Sequence, residues 1–160
     1  MAEIWSLRTR SRSDAPLTGV GTSTPIEGRQ VEMAKQCIQP KGAPAPLGPY
    51  SPAVRIGDTV YCGGQIAMDP ATGQLISDEI AAQTEQVIKN LGTVLQAAGC
   101  GLGQVVRTTI FLTDLGQFAI VNEVYGKYFS ASPPARATVQ VAALPKNARI
   151  EMDAIAHIGA

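Results

Sequence analysis

ATVQVAALPKNARIEMDAIAHI, residues 137 to 158, holds two alternating runs joined by a turn. Successive side chains of an extended chain point to opposite faces, so Ala137 to Ala142 (ATVQVA) and Arg149 to Ile158 both read as strands. Leu144-Pro145-Lys146-Asn147 between them reads as the turn. The second run is the more informative. Ile150, Met152, Ala154, Ala156 and Ile158 fall on one face, and Arg149, Glu151, Asp153, Ile155 and His157 on the other. The apolar face needs a covering layer, which leaves Glu151 and Asp153 looking out from the uncovered side.

Upstream, Phe118, Val121, Tyr125 and Tyr128 recur at helical steps and predict a helix over about Gln117 to Phe129, ended by Pro133-Pro134. Val105 to Leu112 (VVRTTIFL) is too short and too β-branched for a helix and reads as a strand. Ile80, Thr84, Val87, Ile88, Leu91, Leu95 and Ala98 predict a longer helix, with Asp78 as its cap and Gly99 as its stop. Ala53 to Ile56 and Thr59 to Gly63 read as a hairpin around Gly57-Asp58, followed by a turn at Met68 to Gly73. PKGAPAPLGPYSP, residues 40 to 52, reads as an extended, irregular lead-in. The order β-β-α-β-α-β-β predicts an α+β layer with both helices on one sheet face. The uncovered face mixes polar residues with Thr109, Phe111, Val139 and Val141, a pattern that points to self-association in a closed ring.

With 160 residues the chain fits one domain, and 45% hydrophobic against 16% charged residues is enough to build its core. Thirteen basic residues balance thirteen acidic ones, so no cationic excess is available to hold a nucleic acid, and 5% aromatics leave few rings to stack on bases. Cys37, Cys62, Cys100 and the single histidine, His157, assemble neither a disulfide framework nor a Cys/His zinc site, which points to a reducing compartment. No apolar run approaches the length of a membrane span, so no membrane partner is expected. Residues 1 to 32 hold no sustained period and read as a disordered leader ahead of a single domain at 40 to 160. The Ser- and Arg-rich start fits an organelle transit peptide, whereas Ile26-Glu27-Gly28-Arg29 resembles a factor Xa recognition sequence in an expression tag ahead of a native Met33. Glu3, Asp14 and Glu27 count against the transit peptide. The expected location is cytoplasmic, or organellar if the leader is a native transit peptide.

Chemistry has few places to sit. His157 lies three residues from the end of the chain and reads as a strand end, which leaves no histidine-dependent triad. Gly99-Cys100-Gly101-Leu102-Gly103 follows a helix, where a dinucleotide-binding glycine motif must follow a strand. Cys62 and Cys100 read as small apolar side chains. What remains is Arg136, held behind Pro133-Pro134 at a helix-to-strand junction, with Glu151 fifteen residues on. An arginine there can present its planar fork to a small carboxylate, or it can form a salt bridge with Glu151. Residue logic alone leaves both open.

The segment PPARATVQVAALPKNARIEMDAIA, residues 133 to 156, resembles the C-terminal signature of the Rid family of reactive intermediate deaminases, the YjgF type. GPYSPAV at 48 to 54, GGQIAMDPATGQL at 63 to 75 and QFAIVNEVYGKYF at 117 to 129 extend the resemblance in the same order. It implies a chorismate-mutase-like α+β fold and a homotrimer with clefts between subunits. It also implies hydrolysis of 2-imino acids such as 2-iminobutanoate and 2-iminopropanoate to 2-keto acids and ammonia. The imines would come from enamines released by pyridoxal-phosphate enzymes, and the reaction would need neither metal nor organic cofactor. Under the resemblance Arg136 binds the substrate carboxylate and Glu151 orients the water. Tyr50, Gly64 and Asn122 match other cleft positions, and Thr138 acts through its backbone carbonyl. The chain departs from archetypal bacterial members in having Gly63 for Ser and Thr138 for Cys, and the first bears on substrate preference. A small-carboxylate-binding or chaperone-like trimer is the alternative, and an endoribonuclease that inhibits translation a more distant one. A chain starting at Met33 is expected to keep the melting temperature and the activity of the full chain, because residues 1 to 32 lack a core-forming period. Loss of either, in thermal unfolding or turnover, would place the leader in the fold.

Overall fold

A computed structural model describes residues 34–159, so the leader reading for residues 1 to 32 falls outside the described residues. In chain order the elements are β1 (Gln36–Ile38), β2 (Ala53–Ile56), β3 (Thr59–Ile66), α1 (Ile80–Ala97), β4 (Val105–Leu112), α2 (Phe118–Tyr128), β5 (Ala135–Gln140) and β6 (Ile150–His157). They form one six-stranded sheet in the order β1-β2-β3-β6-β4-β5. All neighbours are antiparallel except β4 and β5, whose parallel pairing requires the crossover that α2 supplies. Both helices pack on one face of this mixed sheet, the α+β layer expected from the element order.

The alternation that opened the reading decides the core. Ile150, Met152, Ala154 and Ala156 on β6 are buried beneath α1, whose Val87, Ile88, Leu91, Val94 and Leu95 are fully buried against them. The opposite face carries Glu151, Asp153 and Ile155 of β6 with Thr109 and Phe111 of β4, and no helix covers it. Tyr61 of β3 and Val139 of β5, 49% and 42% exposed, also lie on this face.

Buried polar side chains tie α1 to the strand ends. Asn90 donates to the carbonyls of Ile66 and Met68 at 3.0 and 2.9 Å. Gln83 donates to the Ser77 carbonyl at 2.7 Å and accepts from the Arg149 amide at 2.9 Å. Removing such a partner would strand buried carbonyls without water, which makes these contacts more restrictive than apolar packing alone.

Four details differ from the sequence expectation, the first being that β3 runs on to Ile66 instead of ending at Gly63, because Gln65 and Ile66 pair with Met152 and Glu151 of β6 past the bulge. Asp78 does not cap α1: Glu79 occupies the cap position without a side-chain bond, and Ser77 Oγ accepts the Glu79 amide at 3.0 Å instead. Gly99 does end the helix, at φ +86°, a conformation that favours glycine. β5 stops at Gln140 rather than Ala142, because its parallel register with β4 runs out at Leu112, where the Val141 amide takes the last carbonyl at 2.8 Å. β1 has too few residues to show a period, and it exists by pairing with β2 at Gln36↔Arg55 through Ile38↔Ala53. Cys62 and Cys100 are buried, and burial, with lesser contributions from Cys100 and Asp153, pushes the Cys62 thiol up to about 12, which keeps it an inert thiol.

Candidate active site

Arg136 enters the fold as the second residue of β5, an edge strand, immediately after the Pro133-Pro134 break. Its register partner is Thr108, whose own partner on β6 is the buried Ala154, so Arg136 belongs to the helix-covered face. The guanidinium carbon lies 4.7 Å from the centroid of the Tyr125 ring and 5.4 Å from that of Phe118, both on α2. Among the described residues no carboxylate pairs with it; the ion pairs present are Arg55–Asp58 and Lys89–Glu85. Arg136 opens onto a cleft of about 400 Å³ lined also by Asn122, Tyr125, Phe129 and Pro134. Thr138, two residues on and on the same face, holds a buried hydroxyl without a hydrogen-bond partner.

Glu151 lies on the other side of the sheet. It pairs in register with Ile66 of β3 and Phe111 of β4, and the pleat turns it away from its buried neighbours Ile150 and Met152. Burial first, and the like charge of Asp153 second, hold its carboxyl above the ordinary glutamate range. β3 bulges between Cys62 and Gln65, and this irregularity brings Gly64 against the Glu151 carboxylate. A Cβ on Gly64 would collide with Glu151 Oε1 and stand 2.7 Å from its Cδ, so only glycine leaves the carboxylate where it is. The bulge is fixed by Gln65 Nε2, which donates to the carbonyls of Gly63 and Gly64 at 3.1 and 3.2 Å, and by the Gly63 amide, which donates to the Pro52 carbonyl at 2.9 Å. Tyr50, 48% exposed, accepts the Leu47 amide at its hydroxyl at 3.1 Å. Tyr50, Gly64 and Glu151 line one cleft of about 420 Å³ together with Leu47, Ile66 and Pro145.

The residues singled out in the sequence therefore divide into two half-sites. Tyr50, Gly64 and Glu151 share one, Asn122 and Arg136 share the other, and Thr138 adjoins the second. Within the chain the sheet separates them, so an intrachain Arg136–Glu151 salt bridge does not form. Sequence reasoning missed Leu47 and Pro145, which reach the cleft through loops without a period. It placed Phe118 and Tyr125 on an amphipathic helix but had no means of directing them at Arg136. Among the described residues no group of three or more His, Cys, Asp or Glu side chains is placed to hold a metal ion.

A family model described as "Endoribonuclease L-PSP" matches residues 40–158. The chain belongs to this family, the YjgF/Rid family. The Rid chain is 48% identical over 127 residues to the human protein named 2-iminobutanoate/2-iminopropanoate deaminase, covering 79% of this chain and 93% of that one. Among solved structures, RidA from an Antarctic Psychrobacter is 47% identical with a TM-score of 0.74, over 77% of this chain and 99% of that one. Escherichia coli TdcF, solved with bound serine, is 38% identical with a TM-score of 0.73, over 76% and 98%. Among the described residues of the Rid chain no helix is long and apolar enough to cross a membrane.

Asp153 sits two residues from Glu151 on the same face, and its Oδ1 accepts the Thr109 amide at 3.0 Å. Asp153→Asn is expected to lower the Glu151 titration midpoint without returning it to the ordinary glutamate value, since the like charge goes and the burial stays. Carbon-detected NMR titration of the Glu151 carboxyl measures this, and an unmoved midpoint would remove Asp153 as a contributor.

Proposed function

We propose that this Rid chain is a hydrolytic deaminase of reactive 2-imino acids such as 2-iminobutanoate and 2-iminopropanoate, released as enamines by pyridoxal-phosphate enzymes. The reading rests on one observation above others: a guanidinium that pairs with no carboxylate among the described residues, alongside a second half-site whose carboxyl is held above its ordinary pKa. A planar guanidinium free of partners is suited to a two-pronged grip on a small carboxylate. A carboxyl with a raised pKa is suited to accepting a proton near neutral pH. The deaminase name of the human relative and the serine bound to TdcF agree with a small amino-acid-like ligand.

In the mechanism, Arg136 forks the substrate carboxylate, with Asn122 beside it. Backbone groups near Gly64 and Thr138 hold the imine, and Tyr50 closes the cleft edge. Glu151 takes a proton from water as the oxygen bonds to the imine carbon; the C=N electron pair passes to nitrogen, which takes that proton back from Glu151. The carbinolamine then passes its hydroxyl proton, by way of Glu151, to its nitrogen as the C–N bond breaks, giving the 2-keto acid and ammonia and returning Glu151 as the carboxylate. The imine is already electrophilic and hydrolyses slowly in water, so positioning supplies most of the acceleration required. The endoribonuclease description finds less support here, since Arg136 is the one cation among the lining residues of both clefts and the chain has no net charge.

Since one sheet keeps Arg136 and Glu151 apart, the complete site is assembled from the Arg136 half of one copy and the Glu151 half of another, closed into a homotrimer. Light scattering is expected to give about 50 kDa for three chains of 16.8 kDa, and a stable monomer would refute the shared site.

In an assay coupled to threonine dehydratase, with 2-ketobutanoate formation as the readout, Arg136→Lys is expected to lower efficiency by more than about tenfold, and Arg136→Ala to leave only the solution rate. Glu151→Gln keeps the volume but cannot accept a proton, so it should bind the carboxylate and turn over slowly. Trimers co-assembled from equal amounts of Arg136→Ala and Glu151→Gln chains should recover about one quarter of the wild-type rate, because some interfaces then pair two intact halves. An Arg136→Ala chain with the wild-type rate would overturn the reading.

A further inference from the structure

Arg136 is held in an unusual way for a functional arginine. Cations that must be aimed are commonly fixed by a carboxylate, but a fixed carboxylate would also compete for the fork that a substrate carboxylate needs. Among the described residues Arg136 has neither ion pair nor hydrogen bond from its guanidinium, and its recorded neighbours are two ring faces. Both centroids lie within the distance at which a ring face attracts a cation. That attraction acts on charge, so it leaves every guanidinium N–H free to donate.

The rings are placed to do this. Phe118 and Tyr125 are seven residues apart on α2, close to two full turns, and so lie on one side of the helix. Tyr125 is only 5% exposed, its ring stacks on Phe129 with centroids 4.4 Å apart, and its hydroxyl bonds to Thr108 Oγ1 at 2.9 Å. Thr108 is also the register partner of Arg136. One residue of β4 therefore fixes both the backbone from which the arginine springs and the ring on which its charge rests. Burial pushes the Tyr125 phenol above its ordinary value, in a hydroxyl that is neutral at working pH in any case. Phe118, by contrast, is 39% exposed at the first position of α2.

We propose that Phe118 and Tyr125 form an aromatic cradle that aims the Arg136 guanidinium, acting as positioning residues for carboxylate recognition; the proposal rests on Arg136 being the carboxylate-binding group. The cradle orients the cation without neutralising it, and the Tyr125–Thr108 bond keeps the cradle rigid.

The test uses the full chain, with 2-oxobutanoate binding, the dehydratase-coupled KM and kcat, thermal unfolding, and the NMR shifts of the Arg136 Hδ and Hε protons. Phe118→Leu and Tyr125→Leu are each expected to raise KM and the 2-oxobutanoate Kd by about three- to tenfold, with a smaller change in kcat, and to remove ring-current shifts at Arg136. Tyr125→Phe keeps the ring and loses the hydroxyl. It should hold Kd within about twofold and keep the Arg136 shifts while lowering the melting temperature, since Thr108 is left without its partner. Binding would then follow the ring and stability the hydroxyl, a split that a purely structural tyrosine would not give. Phe118 is partly exposed, so Phe118→Leu carries the test even if Tyr125→Leu fails to fold. Unchanged Kd and Arg136 shifts in Phe118→Leu, with binding lost in Arg136→Ala, would overturn the cradle alone. Wild-type 2-oxobutanoate binding by Arg136→Ala would bring down the cradle and the carboxylate assignment together.

Discussion

β6 is hydrogen-bonded along both edges, to β3 on one side and β4 on the other, and in that position none of its residues can change face. The rest of the molecule follows from this constraint. Alternate β6 residues supply the floor on which α1 packs, and the intervening ones, Glu151 among them, are turned away from it. A slip of one residue would bury two carboxylates and expose the core, so the chemistry and the stability of the strand are specified by the same register. Arg136 is tied to this frame through β4: Thr108 pairs with Ala154 on one side and with Arg136 on the other, which commits the arginine to the helix side.

Around that frame, polar contacts locate the parts that packing alone would leave loose. Asn90 ties α1 to the end of β3, just past the bulge that brings Gly64 to Glu151. Gln65 folds back on the carbonyls of the same bulge. Tyr125 spans from α2 to β4 through its hydroxyl. Each is a directional bond in a water-poor setting, where misplacement costs the full desolvation of the stranded group. The two clefts are therefore built on rigid edges of the domain, although their outer walls come from loops such as Leu47 and Pro145.

The elements were legible wherever a period ran long enough. The alternation from Ile150 to Ile158 and the three- and four-residue steps from Ile80 to Ala98 assign core, helix and open face without help from tertiary contacts. β1 was not legible because three residues carry no period, and the end of β5 was not because its length is set by the partner strand β4. Asp78 has a capping side chain in the sequence, but the local backbone puts Glu79 at the cap position and turns Ser77 Oγ to the Glu79 amide. The candidate residues came from the resemblance and the Arg136 junction. Their distribution over two faces could not, since fifteen residues with a turn between them fix neither neighbour nor face when β4 lies between β5 and β6. The aromatic seam of α2 reads in sequence as core, and only the position of the edge strand reveals that part of it faces a cation.

The separation of Arg136 from Glu151 by their own sheet also bears on what a single copy of the chain can do. A newly folded copy has a finished core, a guanidinium and a basic carboxylate, yet no single ligand of a few carbon atoms can touch both. Under the proposed shared site, chemical competence would be a property of encounter rather than of folding, and an isolated copy would be latent. On that proposal specific activity would fall on dilution while secondary structure stayed constant, and assembly itself would serve as the final maturation step.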